Sequence, residues 1–397
     1  MSCLRWTGCR LRRRGLVAVI LPLAVPLSGC EALGPPAGGD GPPVLPGDFE
    51  DGNQDPEVTS PLGKTRGEPN DSFLDSIVAV YDSASTARLQ GTIASEGDFD
   101  VYALGPMEPG DVVTVSTTTQ DSPLDISVAV FDDQERLFIT NDDMETGSLD
   151  AFVLEAIRHA GDPYYLVISA SALAVMAEQR TGAYQALITV TREGDVPPPQ
   201  GQILLLDFDG GTVSAPTIPV SEVGPFRAGD IAPMYAGQTE VIKQGIIETV
   251  RENFEGLNVT IVTSDDDELP PEGTYSTVLF GGSNLNAFGI SEHVDTYNRN
   301  PEDVAVIFTE SFRPRLFSRP PTADEMGVAI GNIGSHEAGH LLGLNHVRDA
   351  MAVMDEVNPA DTFLEDQEFK EAPLSPTIAP LGVQDALLLL QEILGVV

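Results

Sequence analysis

Seven residues, Gly194-Asp195-Val196-Pro197-Pro198-Pro199-Gln200, divide this chain of 397 residues. Proline lacks a backbone N–H and holds φ near −65°, so three in a row belong neither inside a helix nor inside a central strand. The chain on either side is therefore expected to fold as two bodies, over residues 68–192 and 201–397, with 193–200 as the linker. At 125 and 197 residues, each is long enough for a core of its own. Upstream, residues 30–67 are rich in Gly, Pro and Asp (Gly34-Pro35-Pro36, Gly41-Pro42-Pro43) and carry almost no periodic apolar signal. Such a composition reads as a flexible tether.

Charge narrows the function classes. Lys and Arg total 21 against 61 Asp and Glu, a formal net charge of −40. That field repels phosphate backbones, so nucleic acid is excluded as a partner. The first 29 residues are the exception, with Arg5, Arg10, Arg12, Arg13, Arg14 and no acid. They continue into a mostly apolar run, Leu16 to Leu27. As a helix that run spans ~18 Å, short of the ~30 Å of a bilayer core, so it reads as the apolar region of a secretory signal. Leu27-Ser28-Gly29-Cys30 follows, and it resembles the lipobox of bacterial lipoproteins. The resemblance implies that residues 1–29 are removed, that Cys30 is acylated, and that the chain is lipid-anchored to a membrane on the extracytoplasmic side or at the cell surface. Cys3 and Cys9 would leave with the signal, so no internal disulfide is expected.

The first block carries short β-branched or alternating runs separated by turn residues: Val112 to Ser116, Ile126 to Phe131 and Tyr165 to Ile168. This pattern predicts an all-β sandwich, jelly-roll-like. Glu68-Pro69-Asn70-Asp71, Gly97 to Tyr102, Asn141-Asp142-Asp143, Tyr164 to Ile168 and Tyr184 to Val190 together resemble the bacterial pre-peptidase C-terminal domain. That family accompanies secreted peptidases, usually on their C-terminal side, whereas here the block comes first. The acids at Asp98, Asp100 and Asn141 to Asp143 offer oxygens that suit Ca²⁺, but Asn and Asp in loops also cap their own backbone amides. No twelve-residue calcium loop with its terminal Glu occurs, which favours turns over a calcium cofactor.

The second block mixes periodicities. Ile203 to Phe208 reads as a buried strand. A helix follows over Gln238 to Phe254, with Val241, Gly245, Ile246, Thr249, Val250 and Phe254 on one stripe and Gly256 ending it. Strands are expected at Asn258 to Thr263, Ser276 to Phe280 and Val304 to Phe308, and a core-docking helix at Gln384 to Leu394. That order predicts an α/β layer.

Three of the five histidines lie within eleven residues, Ser335-His336-Glu337-Ala338-Gly339-His340-Leu341-Leu342-Gly343-Leu344-Asn345-His346. On a helix, residues four apart share a face, so His336 and His340 can converge on one ion. A continuous helix would turn His346 away from it. Gly343 stands where the helix must break and can take the positive φ of a helix end. Three imidazoles leave a fourth position open, the mark of a catalytic zinc site rather than a closed structural one. Glu337 beside them can act as general base on zinc-activated water. Elsewhere, His159 and His293 lack ligand spacing, and Asp207, Asp209 and Asp265 to Glu268 read as solvated loops.

The full pattern resembles the metzincin clan of zinc endopeptidases, and its closing Gly-Leu-x-His is most similar to the matrixin branch. The resemblance implies a metzincin-like zinc protease domain over 201–397 with His336, His340 and His346 on zinc and Glu337 as base. It further implies a methionine turn at Met354, in preference to Met351. Substrates would be proteins or peptides, extended across an edge strand, and the protein a monomer. Asp355-Glu356 replaces the family's usual residues after the methionine, no tyrosine lies two positions on, and no propeptide cysteine is present. The competing reading is a lipid-anchored adhesion or binding module whose metal site is vestigial or structural.

Overall fold

The computed structural model describes residues 69–397, apart from 120–121, 145–147, 193 and 358. The signal, Cys30 and the tether lie outside the described residues. Nine strands build the first domain: β1 (Ile77–Val78), β2 (Thr86–Ile93), β3 (Phe99–Met107), β4 (Val112–Thr118), β5 (Ile126–Phe131), β6 (Leu137–Asn141), β7 (Phe152–Ala156), β8 (Gly161–Ala170) and β9 (Gly182–Thr191). They form two sheets, ordered β1-β3-β8-β5-β6 and β2-β9-β4-β7. Among the described residues of this domain, β1 is the one strand that pairs in parallel, with β3. β9 alternates buried and half-buried side chains, as one face on a core requires.

β5 breaks that alternation, because all six of its residues are buried. Ile126, Val128 and Val130 face the sandwich core. Ala129 and Phe131 instead join Val101, Leu137 and Val167 in a second cluster closed by Leu374 and Ala379 of the C-terminal domain. The continuous apolar run is thus explained by burial on both faces.

The second domain begins with β10 (Gln202–Asp207) and continues through β11 (Gly211–Thr212), β12 (Glu222–Val223), α1 (Ala228–Ile231), α2 (Thr239–Asn253), β13 (Val259–Thr263), β14 (Ser276–Phe280), β15 (Gly289–Ser291), β16 (Val304–Ile307), α3 (Ala323–Leu341), β17 (Glu371–Pro373), β18 (Val383–Asp385) and α4 (Ala386–Leu394). Its main sheet is ordered β13-β10-β14-β16-β15. The first four strands are parallel, and β15 runs antiparallel at the edge. α2 and α3 pack on the sheet, and Ile242, Ile246, Val250, Met326, Ile330 and Ile333 are in one core with Leu204, Leu206 and Val278. The buried stripe of α2 is centred on Ile242, Ile246 and Val250, which turns Val241 to solvent at 44% exposure, contrary to the expected stripe. α4 docks through Ala386, Leu390, Ile393 and Leu394. No helix among the described residues is long and apolar enough to cross a membrane.

The domains are tied by polar contacts as well. His159 lies between Asp132 of the sandwich and Glu392 of α4, with Nε2 and Nδ1 each 2.9 Å from a carboxylate oxygen. Hydrogen bonds to Asp132 and then to Glu392 raise the imidazole to about 9, against its usual 6.5, so it is charged at neutral pH. A group whose native pKa is raised stabilises fully below its unfolded value and ceases to do so above its folded one. The thermal midpoint of the wild type should therefore exceed that of His159→Gln most below pH 6.5 and converge with it as pH rises through about 9. A difference independent of pH would contradict this clasp.

Candidate metal centre

α3 opens with a capping box in which Thr322 Oγ1 accepts from the Glu325 N–H and the Glu325 carboxylate accepts from the Thr322 N–H. From Ala329 to Leu341 every residue is buried. Its end is built by glycine: Gly343 has φ +94. The Gly343 N–H donates to the His340 carbonyl at 3.0 Å and the Leu344 N–H to the Gly339 carbonyl at 2.9 Å, the paired bonds of a Schellman turn. The chain reverses there, and His346 comes back toward the helix face that carries His336 and His340.

The three rings converge. His340 Nε2 lies 3.2 Å from His336 Nε2 and 3.0 Å from His346 Nε2. Donors of a tetrahedral ion with bonds of 2.0–2.1 Å stand about 3.3 Å apart, so the spacing matches. The other ring nitrogens settle the tautomers of two rings. His336 Nδ1 donates to the Val353 carbonyl at 2.7 Å, and His340 Nδ1 to the Leu344 carbonyl at 2.8 Å. A carbonyl only accepts, so each Nδ1 carries the proton and each Nε2 presents a lone pair. Burial keeps the rings neutral: it lowers His336 to about 4 and His340 to about 3, the latter helped by His336, and it drives His346 well below its usual value. Lone pairs facing one another at this distance repel, and a cation among them turns the repulsion into coordination. The residues present fit a zinc ion.

The surroundings hold this geometry. Met354, 1% exposed, lies beneath the helix, its sulfur 2.5 Å from where a Cβ on Gly339 would stand, between the two helical histidines. Met351 is 39% exposed and lies outside that packing. Asp355 and Glu356 are buried. The Glu356 carboxylate accepts from the Ser375 hydroxyl and, at 3.2 Å, from that of Thr377, so it fastens the C-terminal segment.

Glu337 is 7% exposed and turns toward the edge strand, where a Cβ on Gly289 would fall 2.5 Å from its Cγ. Burial raises its carboxyl to about 8, opposed by hydrogen bonds from the Ser291 N–H and hydroxyl. A doubly charged ion in the histidine trio would act in the same direction as Ser291. Gly289, Ser291 and the Val353 carbonyl were not foreseen from sequence, since each is brought to α3 by folding from outside the histidine motif; the Leu344 carbonyl lies within the motif, but only the turn at Gly343 aims it at His340.

Gly343 meets the loop after β15: a Cβ there would stand 2.8 Å from Tyr297 N and 2.9 Å from Asp295 O. Gly343→Ala combines a left-handed backbone with that collision. It is expected to destabilise the domain by about 2–4 kcal/mol, read as a shift of the denaturation midpoint. A change under about 0.5 kcal/mol would show that the turn is not needed in this form.

The acids considered for calcium mostly serve as turn caps. Asn141 Oδ1 accepts from the Asp143 N–H at 2.7 Å, and Asp207 Oδ1 accepts from the N–H groups of Asp209 and Gly210. Asp100 accepts from the Tyr184 hydroxyl in the sandwich core. His293 is different, because it lies with Asp295 and Asp303 in a cluster whose ligand atoms are all within 4.8 Å of one another. Sequence spacing, by which His293 reads as no ligand, does not show this grouping, because Asp303 is ten residues on and reaches it only through the loop's fold.

No family model and no curated protein sequence matches the chain. Among solved structures it is similar to the archaemetzincin of Methanopyrus kandleri, at 16% identity and a TM-score of 0.25, over 49% of this chain and 95% of that one. It is similar to a zinc-dependent peptidase from Methanocorpusculum labreanum, at 14% identity and a TM-score of 0.23, over 42% of this chain and 93% of that one. A third likeness is to the pre-peptidase C-terminal domain of a collagenase from Bacillus anthracis, at 10% identity and a TM-score of 0.22, over 32% of this chain and all of that one.

Proposed function

We propose that this protein is a zinc metalloendopeptidase, lipid-anchored through Cys30 on the extracytoplasmic side of a bacterial membrane. The observation that carries the reading is the convergence of three neutral imidazoles, Nε2 to Nε2 at 3.0 and 3.2 Å, two of them fixed in tautomer by backbone carbonyls. His336, His340 and His346 would hold the ion. Bound there, zinc supplies Lewis acidity, which polarises a peptide carbonyl and makes water nucleophilic near neutral pH.

The chain's own residues supply the rest. Glu337 takes the proton of the attacking water at its carboxylate and delivers it to the leaving amine. Ser291 holds that carboxylate from the edge strand. β15 is the last strand of its sheet among the described residues, so its outer edge can accept an extended peptide by backbone pairing, beside Glu337. The strand orders β2-β9-β4-β7 and β3-β8-β5-β6 support reading the preceding domain as a jelly roll.

The expected result is cleavage of a generic unfolded protein that stops on chelation and returns with zinc. Protein binding without chelator-sensitive cleavage would favour an adhesion module instead. For the anchor, Cys30→Ala is expected to move the protein from the membrane to the soluble fraction. Retention in the membrane would mean that another anchor exists.

A further inference from the structure

The loop between β15 and β16 carries a group that nothing in the hydrolytic reading uses. Asp303, immediately before β16, is completely buried, and neither carboxylate oxygen has a hydrogen-bond partner of proper geometry. A buried carboxylate without partners is costly, and such groups are ordinarily paired or bound to metal. What opposes the burial of Asp303 comes first from the Ser276 hydroxyl, a neutral group that also accepts from Gln202 Nε2 at 3.0 Å. The charged groups that act on it most are themselves acids, Asp295 and Glu292, which add negative charge. The one nitrogen donor in the cluster is His293, whose ring, with carboxylate oxygens of Asp295 and Asp303, places three ligand atoms within 4.8 Å.

We propose that His293, Asp295 and Asp303 form a second site for a divalent ion of the zinc class, separate from the histidine trio. One imidazole and two carboxylates are a borderline donor set that suits zinc or manganese; calcium and magnesium take oxygen alone. Three donors within 4.8 Å need only a small contraction to reach ligand spacing. The same loop holds another buried acceptor without a partner, Asn298 Oδ1.

The location gives the site a task. The Asp295 N–H donates to the His340 carbonyl at 2.9 Å, and the backbone at 295–297 packs on Gly343. Two residues on from Asp295, the Tyr297 hydroxyl donates to the Phe138 carbonyl of the sandwich at 2.7 Å, and Arg158 lies 3.6 Å over its ring. An ion at Asp295 would therefore brace the loop that joins the helix end beneath the histidine trio to the neighbouring domain. This is a positioning role, away from the reacting atoms.

The test is zinc stoichiometry in the full chain, stripped by chelator, reloaded with Zn²⁺ and dialysed. Two equivalents are expected in the wild type, and one each in His293→Gln, in Asp303→Asn and in the His336→Ala/His340→Ala double variant. Zinc should also raise the melting temperature of that double variant, and stop doing so once His293→Gln is added. One equivalent in both the wild type and His293→Gln, with none in the double variant, overturns the second site while leaving the histidine trio intact. Two equivalents retained by His293→Gln overturns it as well, since the second ion then lies elsewhere. If the double variant keeps as much zinc as the wild type, the trio is the reading that fails. His293 is only half-buried, so its variant decides the matter even if Asp303→Asn does not fold.

Discussion

Glu337→Ala is expected to retain the zinc of the histidine trio and to lose proteolysis by about 10²–10⁴-fold, the usual worth of a positioned general base. Glu337 is adjacent in sequence to His336, yet its side chain goes to the edge strand, where Ser291 binds it. Its removal therefore leaves the three nitrogens, their carbonyl partners and the Met354 support in place. The shorter side chain opens space beside Gly289, so Glu337→Gln is the companion variant that keeps the volume and removes only the proton acceptor. Both should give equal zinc content to the parent by elemental analysis and a matching fall in kcat/KM on a peptide substrate. Full residual activity in Glu337→Gln would exclude this carboxylate as the base.

His346→Ala should fail in the opposite order, losing metal first and activity as a consequence. It removes one of three donors and leaves two imidazoles, with the 3.0 Å contact to His340 gone. Losing a partner of a ligand costs about 10–100-fold in metal affinity; loss of a ligand itself should exceed that. Competition with a chromogenic chelator would show one tightly held equivalent fewer than in the parent. His346 is the least buried of the three and lies beyond the helix, so α3 should keep its structure. Parent-like zinc affinity in this variant would mean that the ion is held without the third ring. The pair of variants separates binding from chemistry, which neither does alone.

Much of the centre was legible because it is local. The i,i+4 pair needs only a helix, and Gly343 needs only a break, so spacing alone placed His336, His340 and His346 together. Runs such as Ser276 to Phe280 declared themselves as strands by composition, and their bounds in the sheet agree. What could not be read depends on contacts made across the chain. His159 gains its partners from Asp132, 27 residues away, and Glu392, 233 away. Asp303 looks like any loop acid until folding buries it beside His293. Val241 is as apolar as Ile242, and only the sheet beneath α2 selects which of them faces inward. The run of buried residues in β5 had its cause in the C-terminal segment that covers its outer face.

The most direct measurement is anomalous diffraction at the zinc edge from crystals grown with Zn²⁺. The expected result is a peak bonded to His336, His340 and His346 through Nε2 at about 2.0–2.1 Å, with solvent rather than a side chain at the fourth position. No peak among those rings, or one closed by a fourth protein ligand, would contradict it.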